Sequence, residues 1–165
     1  MAQLRGAVRC KVAAMTAADG YSVQGGCLCG AVRFELTAPP TIAGYCHCTR
    51  CQRRTGTASA VSVFVDPSAL RWQSGEDLIR CWAPPDGMQK CFCGECGAHL
   101  LSISPDRARM AVRMAAFDAD PGIRPSYRQF VAYAASWEPI PDDGLPRFDE
   151  ARPRGARPGG ALIPS

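Results

Sequence analysis

The chain has 165 residues, 47% hydrophobic and 21% charged, with 19 Lys and Arg against 15 Asp and Glu for a net charge of +4. That length suits one domain with a modest core, and the composition excludes wholesale disorder. No stretch approaches the roughly 18 apolar residues of a membrane span, and so balanced a charge, with several arginines in the two ends, gives no nucleic-acid footprint.

Residues 1–19 read as a flexible extension. MAQLRGAVRCKVAAM lacks the apolar core and cleavage site of a secretory signal, so a cytoplasmic chain is expected. Its basic residues weakly echo a transit peptide, and Met15 is an alternative start to Met1. A domain is expected over 20–150. A strand opens at Tyr21–Gln24, and GGCLCG then makes a tight knuckle. In Ala31–Leu36, Val32, Phe34 and Leu36 alternate with Arg33 and Glu35, the period of a half-buried strand. Pro39 and Pro40 end it. Tyr45–Cys48 reads as short and extended, and Thr49–Arg54 as one helical turn. Short strands follow at Val61–Val65, Leu70–Gln73, Leu78–Trp82, Lys90–Phe92, His99–Ile103, Arg109–Met114 and Gln129–Tyr133. This spacing predicts a mainly β fold, a sandwich or folded meander, rather than a βαβ pattern. Trp72, Trp82 and Trp137 are expected in the core. The tail 151–165 is rich in Pro, Gly and Arg and reads as disordered.

Ten cysteines dominate the chemistry. Cys27 and Cys29 form C-x-C, Cys46, Cys48 and Cys51 form C-x-C-x-x-C, and Cys93 and Cys96 form C-x-x-C. In a cytosolic chain such clusters point to zinc thiolates. Cys27, Cys29, Cys93 and Cys96, in two glycine-rich turns, make a tetrahedral, coordinatively closed zinc that clips the early and late parts of the sheet together. Cys46 and Cys48 point to one side of an extended segment, with His47 facing away, and the next turn returns Cys51. Three ligands are the count of a catalytic zinc with an open position. A second structural site, completed by Cys91, Cys81 or His99, is the alternative. Arg53 and Arg54 suit substrate carboxylates or else form a solvated face. His47 reads as a surface imidazole between two ligands and His99 as a strand residue. Cys10 reads as inert.

GGCLCGAVRFEL, YCHCTRCQRRTGTA, FCGECGAHL and the ending WEPIPDDGLPRF together resemble the glutathione-dependent formaldehyde-activating enzyme (GFA)/CENP-V family, across roughly Tyr21 to Phe148. The resemblance implies an Mss4-like fold, a structural zinc on Cys27, Cys29, Cys93 and Cys96, and a catalytic zinc on Cys46, Cys48 and Cys51. It implies a carbon–sulfur lyase-like activity joining a glutathione-like thiol to a small aldehyde, with no nucleic-acid or membrane partner. Arg128 and Ala134 stand near positions where that family often carries His and Lys. A non-catalytic zinc-stabilised scaffold and a thiol redox sensor are the competing functions.

Overall fold

The structure, a computed structural model, describes residues 20–153 except residue 86. The expected extension 1–19, with Cys10, and the tail beyond 153 lie outside the described residues. In chain order the elements are β1 (Val23–Gly26), β2 (Arg33–Leu36), β3 (Ile42–Cys46), α1 (Thr49–Thr55), β4 (Ala60–Val65), β5 (Leu70–Ser74) and β6 (Ile79–Trp82). These are followed by β7 (Gln89–Cys93), β8 (His99–Ile103), β9 (Met110–Arg113), β10 (Pro125–Gln129) and β11 (Arg147–Phe148).

Two sheets form the domain: a three-stranded one in the order β1-β2-β5, and an eight-stranded one in the order β11-β10-β3-β4-β9-β8-β7-β6. The mainly β, Mss4-like expectation holds. Strands β6 to β9 are a true antiparallel meander, whereas β10 runs parallel to both β3 and β11.

The alternation read in Ala31–Leu36 is realised. Val32, Phe34 and Leu36 are fully buried, and Arg33 and Glu35 face outward. Phe34 is the hinge of the core, meeting Trp72 edge-on at 5.9 Å and Phe117 at 5.5 Å between centroids. Such pairs add about 0.5–1.5 kcal/mol each beyond their buried area. A bridge between Gly25 and Phe117 ties β1 to the segment after β9.

Three expectations need correction. The late strand is Pro125–Gln129, not Gln129–Tyr133. Phe130 takes a left-handed φ of 58°, which ends the extended run, and Val131–Tyr133 coil into a 3-10 turn. Trp82 and Trp137 are exposed rather than core residues. Trp82 ends the edge strand β6, with the Arg50 guanidinium over its ring at 5.8 Å, and Trp137 lies in the irregular segment before β11. Trp72 alone of the three packs against the core.

Candidate metal centres and active site

The first cysteine cluster is built by two matching turns. Cys27 sits just past β1, where its Sγ accepts from the Val32 N–H at 3.2 Å and its N–H bonds the Val32 carbonyl. Cys93 ends β7, and its N–H bonds the Ala98 carbonyl. Each turn closes through a glycine at positive φ, Gly30 at 78° and Gly97 at 72°, a conformation that side-chain-bearing residues rarely adopt. The Sγ atoms of Cys27, Cys29, Cys93 and Cys96 all lie within 4.8 Å of one another, and none is bridged to another. Four thiols gathered so closely without a disulfide, with two of them buried, fit a tetrahedral thiolate metal site. The Ala98 N–H draws the Cys96 thiol down to about 6, near the ionised form a metal requires.

The second cluster is a trio. Cys46 ends β3, Cys48 caps α1, and Cys51 is one turn into that helix. The Cys46 and Cys48 Sγ atoms are 3.5 Å apart, and the Cys48 Sγ accepts from the Cys51 N–H at 3.4 Å, folding the helix start around the sulfurs. All three Sγ atoms fall within 4.8 Å, and among the described residues no fourth His, Cys, Asp or Glu donor joins them. Cys81 and Cys91, considered above as fourth ligands, are instead bonded to each other across β6 and β7. His99 opens β8 on the wall of a cleft and is not among the donors. Three thiolates thus fit a metal site with one coordination position not filled by the protein.

His47 is buried, not a surface imidazole. It does point away from the sulfurs, but that side is covered by β10. Its N–H bonds the Gln129 carbonyl, and its Nε2 lies 3.3 Å from Arg128 Nη1. Burial, then the Arg128 charge, push its pKa below the ordinary imidazole value. Arg128 is itself buried, stacks 4.1 Å from the Tyr45 ring and pairs with Asp143 at 2.7 Å.

Negative charge within the trio settles on Cys51. The Cys46 and Cys48 thiols donate to it and hold it far below the usual thiol range, and the Arg113 and Lys90 charges add to the effect. Cys46 is pushed far up by giving its hydrogen bonds to Cys48 and Cys51. Of the arginines expected to meet substrate, Arg53 is exposed. Arg54 is half-buried, and burial followed by the Arg113 charge bring it down to about 10. Both terminal nitrogens of Arg54 are buried with no hydrogen-bond partner.

Arg113 and Lys90 were not singled out from the sequence. Arg113 ends a fully buried strand and bonds Ser62 Oγ at 2.8 Å, and Lys90 reaches Ser102 Oγ at 3.3 Å. The available signal was a lone charge inside an apolar run, MAVRMAAF for Arg113. A cleft of about 650 Å³ is lined by Arg54, His99 and Arg113 and also by Cys27, Leu28, Ala116 and Phe117. None of Cys46, Cys48 and Cys51 lines it. Arg54 and Arg113 line the cleft and also interact electrostatically with Cys51.

No helix of the structure is long and apolar enough to cross a membrane. The family model for the glutathione-dependent formaldehyde-activating enzyme matches residues 22–133. A Halomonas elongata protein provisionally named a glutathione-dependent formaldehyde-activating enzyme is 29% identical over 89 residues, 50% of this chain and 57% of the relative. The match thus spans little more than half the length of that relative. A crystal structure of a Rhodobacter sphaeroides protein superposes with a TM-score of 0.48 at 20% identity, covering 76% of this chain and 98% of that one. With the family model covering more than half of the chain and both cysteine clusters assembled, this chain belongs to the glutathione-dependent formaldehyde-activating enzyme family.

Proposed function

We propose that this protein is a zinc-dependent catalyst of thiol–aldehyde adduct formation and cleavage, acting in the cytoplasm on a glutathione-like thiol and a small aldehyde. The domain responsible is residues 20–150. Cys27, Cys29, Cys93 and Cys96 would hold a structural zinc, and Cys46, Cys48 and Cys51 a catalytic one. A zinc ion on three thiolates supplies Lewis acidity that lowers the pKa of a thiol and polarises a carbonyl. The observation that carries the reading is the second trio: three convergent sulfurs with no fourth protein donor, under a group of cations.

The protein's own groups set the chemistry. Arg113 and Lys90 maintain a positive field at the sulfurs, which favours the thiolate over the thiol. Arg54, which lines the cleft, or the exposed Arg53 would orient an acidic substrate. In the forward direction the substrate thiol loses its proton and its sulfur attacks the aldehyde carbon. A carbon–sulfur bond forms, the carbonyl π pair moves onto oxygen, and that oxygen takes up a proton. Nothing is oxidised or reduced. The reverse is a carbon–sulfur lyase step.

Exchange NMR of formaldehyde and glutathione with their hydroxymethyl adduct tests this. Zinc-loaded protein should accelerate interconversion well beyond the spontaneous rate, and Cys48→Ser, still folded, should abolish the acceleration. Equal rates with and without the protein would overturn the enzymatic reading in favour of a scaffold.

A further inference from the structure

Seven of the described cysteines fall into the two clusters, and the remaining two, Cys81 and Cys91, are bonded to each other. They face one another in the antiparallel ladder of β6 and β7, between the pairs Arg80 opposite Phe92 and Trp82 opposite Lys90. Their surroundings differ. Strand β6 is the edge of the eight-stranded sheet and Cys81 is exposed on it, whereas Cys91 is 3% exposed and packs in the core. A nucleophile from solvent therefore reaches the Cys81 sulfur and not the Cys91 sulfur, which fixes the direction of exchange. In the cytoplasm proposed above, most cysteine pairs are kept reduced, and disulfides that do form there are usually transient and catalytic or redox-sensing.

The bond lies where the hairpin meets the second trio. Trp82, next to Cys81, carries the Arg50 guanidinium over its ring at 5.8 Å, and Arg50 belongs to the helix that holds Cys51. Lys90, next to Cys91, contributes positive charge at Cys51. We propose that the Cys81–Cys91 bond is an exchange site for low-molecular-weight thiols, attacked at Cys81, and that its closed form pins the end of β6 beside the second trio. The inference rests on the proposed function in one respect: the thiol that opens the bond is of the class used as substrate, so the bond reports the redox state of the substrate pool.

In the opening direction a small thiolate attacks Cys81 Sγ. A sulfur–sulfur bond joins the two, the Cys81–Cys91 bond breaks, and its electron pair leaves on Cys91 Sγ, which takes up a proton. A second thiolate attacks the small-molecule sulfur of this mixed disulfide and releases Cys81 Sγ, which is protonated in turn. Two small thiols are thereby oxidised to their disulfide while the protein bond is reduced by two electrons. The small disulfide reverses both steps.

The test equilibrates the zinc-loaded full chain with reduced and oxidised glutathione at graded ratios, quenches with acid, alkylates, and reads Cys81 and Cys91 by peptide mass spectrometry. The bond should be closed in excess oxidised glutathione and open in excess reduced glutathione, with zinc content unchanged. Cys91→Ala should take up glutathione on Cys81 from oxidised glutathione, and Cys81→Ser should leave Cys91 unmodified. Hydrogen exchange of the β6 peptide should rise severalfold on opening, while that of β8 and β9 stays level. A bond that stays closed in excess reduced glutathione, opens only with loss of zinc, or never forms in excess oxidised glutathione overturns the exchange site. Glutathione on Cys91 in Cys81→Ser overturns the assigned direction, and unaltered β6 exchange overturns the pinning. The titration reads no adduct chemistry, so exchange without aldehyde adduct formation removes only the proposed function, and adduct formation without exchange removes only this site.

Discussion

Arg128 Nη1 lies 3.3 Å from His47 Nε2, directly behind the loop that presents Cys46 and Cys48. The same guanidinium donates to Asp143 and covers the Tyr45 ring, so one side chain joins β3, β10 and the segment leading to β11. His47 Nε2 acts as the acceptor, which leaves the ring proton on Nδ1. Arg128→Ala would therefore strand a buried imidazole and lower stability by about 1–3 kcal/mol, read by chemical denaturation. Arg128→Lys should recover less than half of that loss, because a single ammonium cannot serve His47, Asp143 and the ring together.

Stability should fall in acid through Asp143. Arg128 holds its carboxyl below the usual carboxylate range. Its contribution is present above the unfolded pKa of about 3.9 and is lost as pH falls through the lower folded value. Denaturation midpoints between pH 6 and pH 2.5 should therefore drop less steeply for Asp143→Asn than for the natural chain. Parallel curves would show that the pair contributes nothing to the acid limb.

Gly44 is a packing prediction. Two residues before Cys46, a Cβ there would sit 2.3 Å from the buried Tyr127 ring. Gly44→Ala should cost about 1–3 kcal/mol by overpacking. Tyr127→Leu should relieve part of that cost in the double variant, giving a non-additive cycle in thermal unfolding.

The two cysteine clusters should respond differently to a chelator. The closed set joins the ends of β1 and β7, and structural zinc sites contribute on the order of 10–16 kcal/mol, comparable to the stability of a whole domain. Cys27→Ala should give insoluble protein or a large fall in melting temperature. Mild chelation should remove one metal from the natural chain while the far-ultraviolet circular dichroism persists. Simultaneous loss of both metals and of the fold would show that the trio is as structural as the quartet.

Much of this architecture could be read in the residues themselves. The cysteine spacings mark the three local groups, because C-x-C and C-x-x-C converge within one turn whatever the wider fold, while the meeting of Cys27 and Cys29 with Cys93 and Cys96 depends on how β1 and β7 come together. The alternation of Val32, Phe34 and Leu36 marks their strand for the same local reason. Features set by distant chain segments were less legible. His47 looked like a surface residue because period two says which side it faces, not that β10 covers that side. Arg113 looked like an ordinary strand residue because nothing local brings Arg54 and Lys90 towards it. The Cys81–Cys91 bond depends on strand register, which the nine intervening residues do not declare.

Elemental analysis of the natural chain beside Cys51→Ser tests the division of seven sulfurs into a closed and an open centre most directly. Two zinc ions per natural chain, and one in a variant that remains folded, is the expected result. A single zinc per natural chain, or two in the variant, would contradict it.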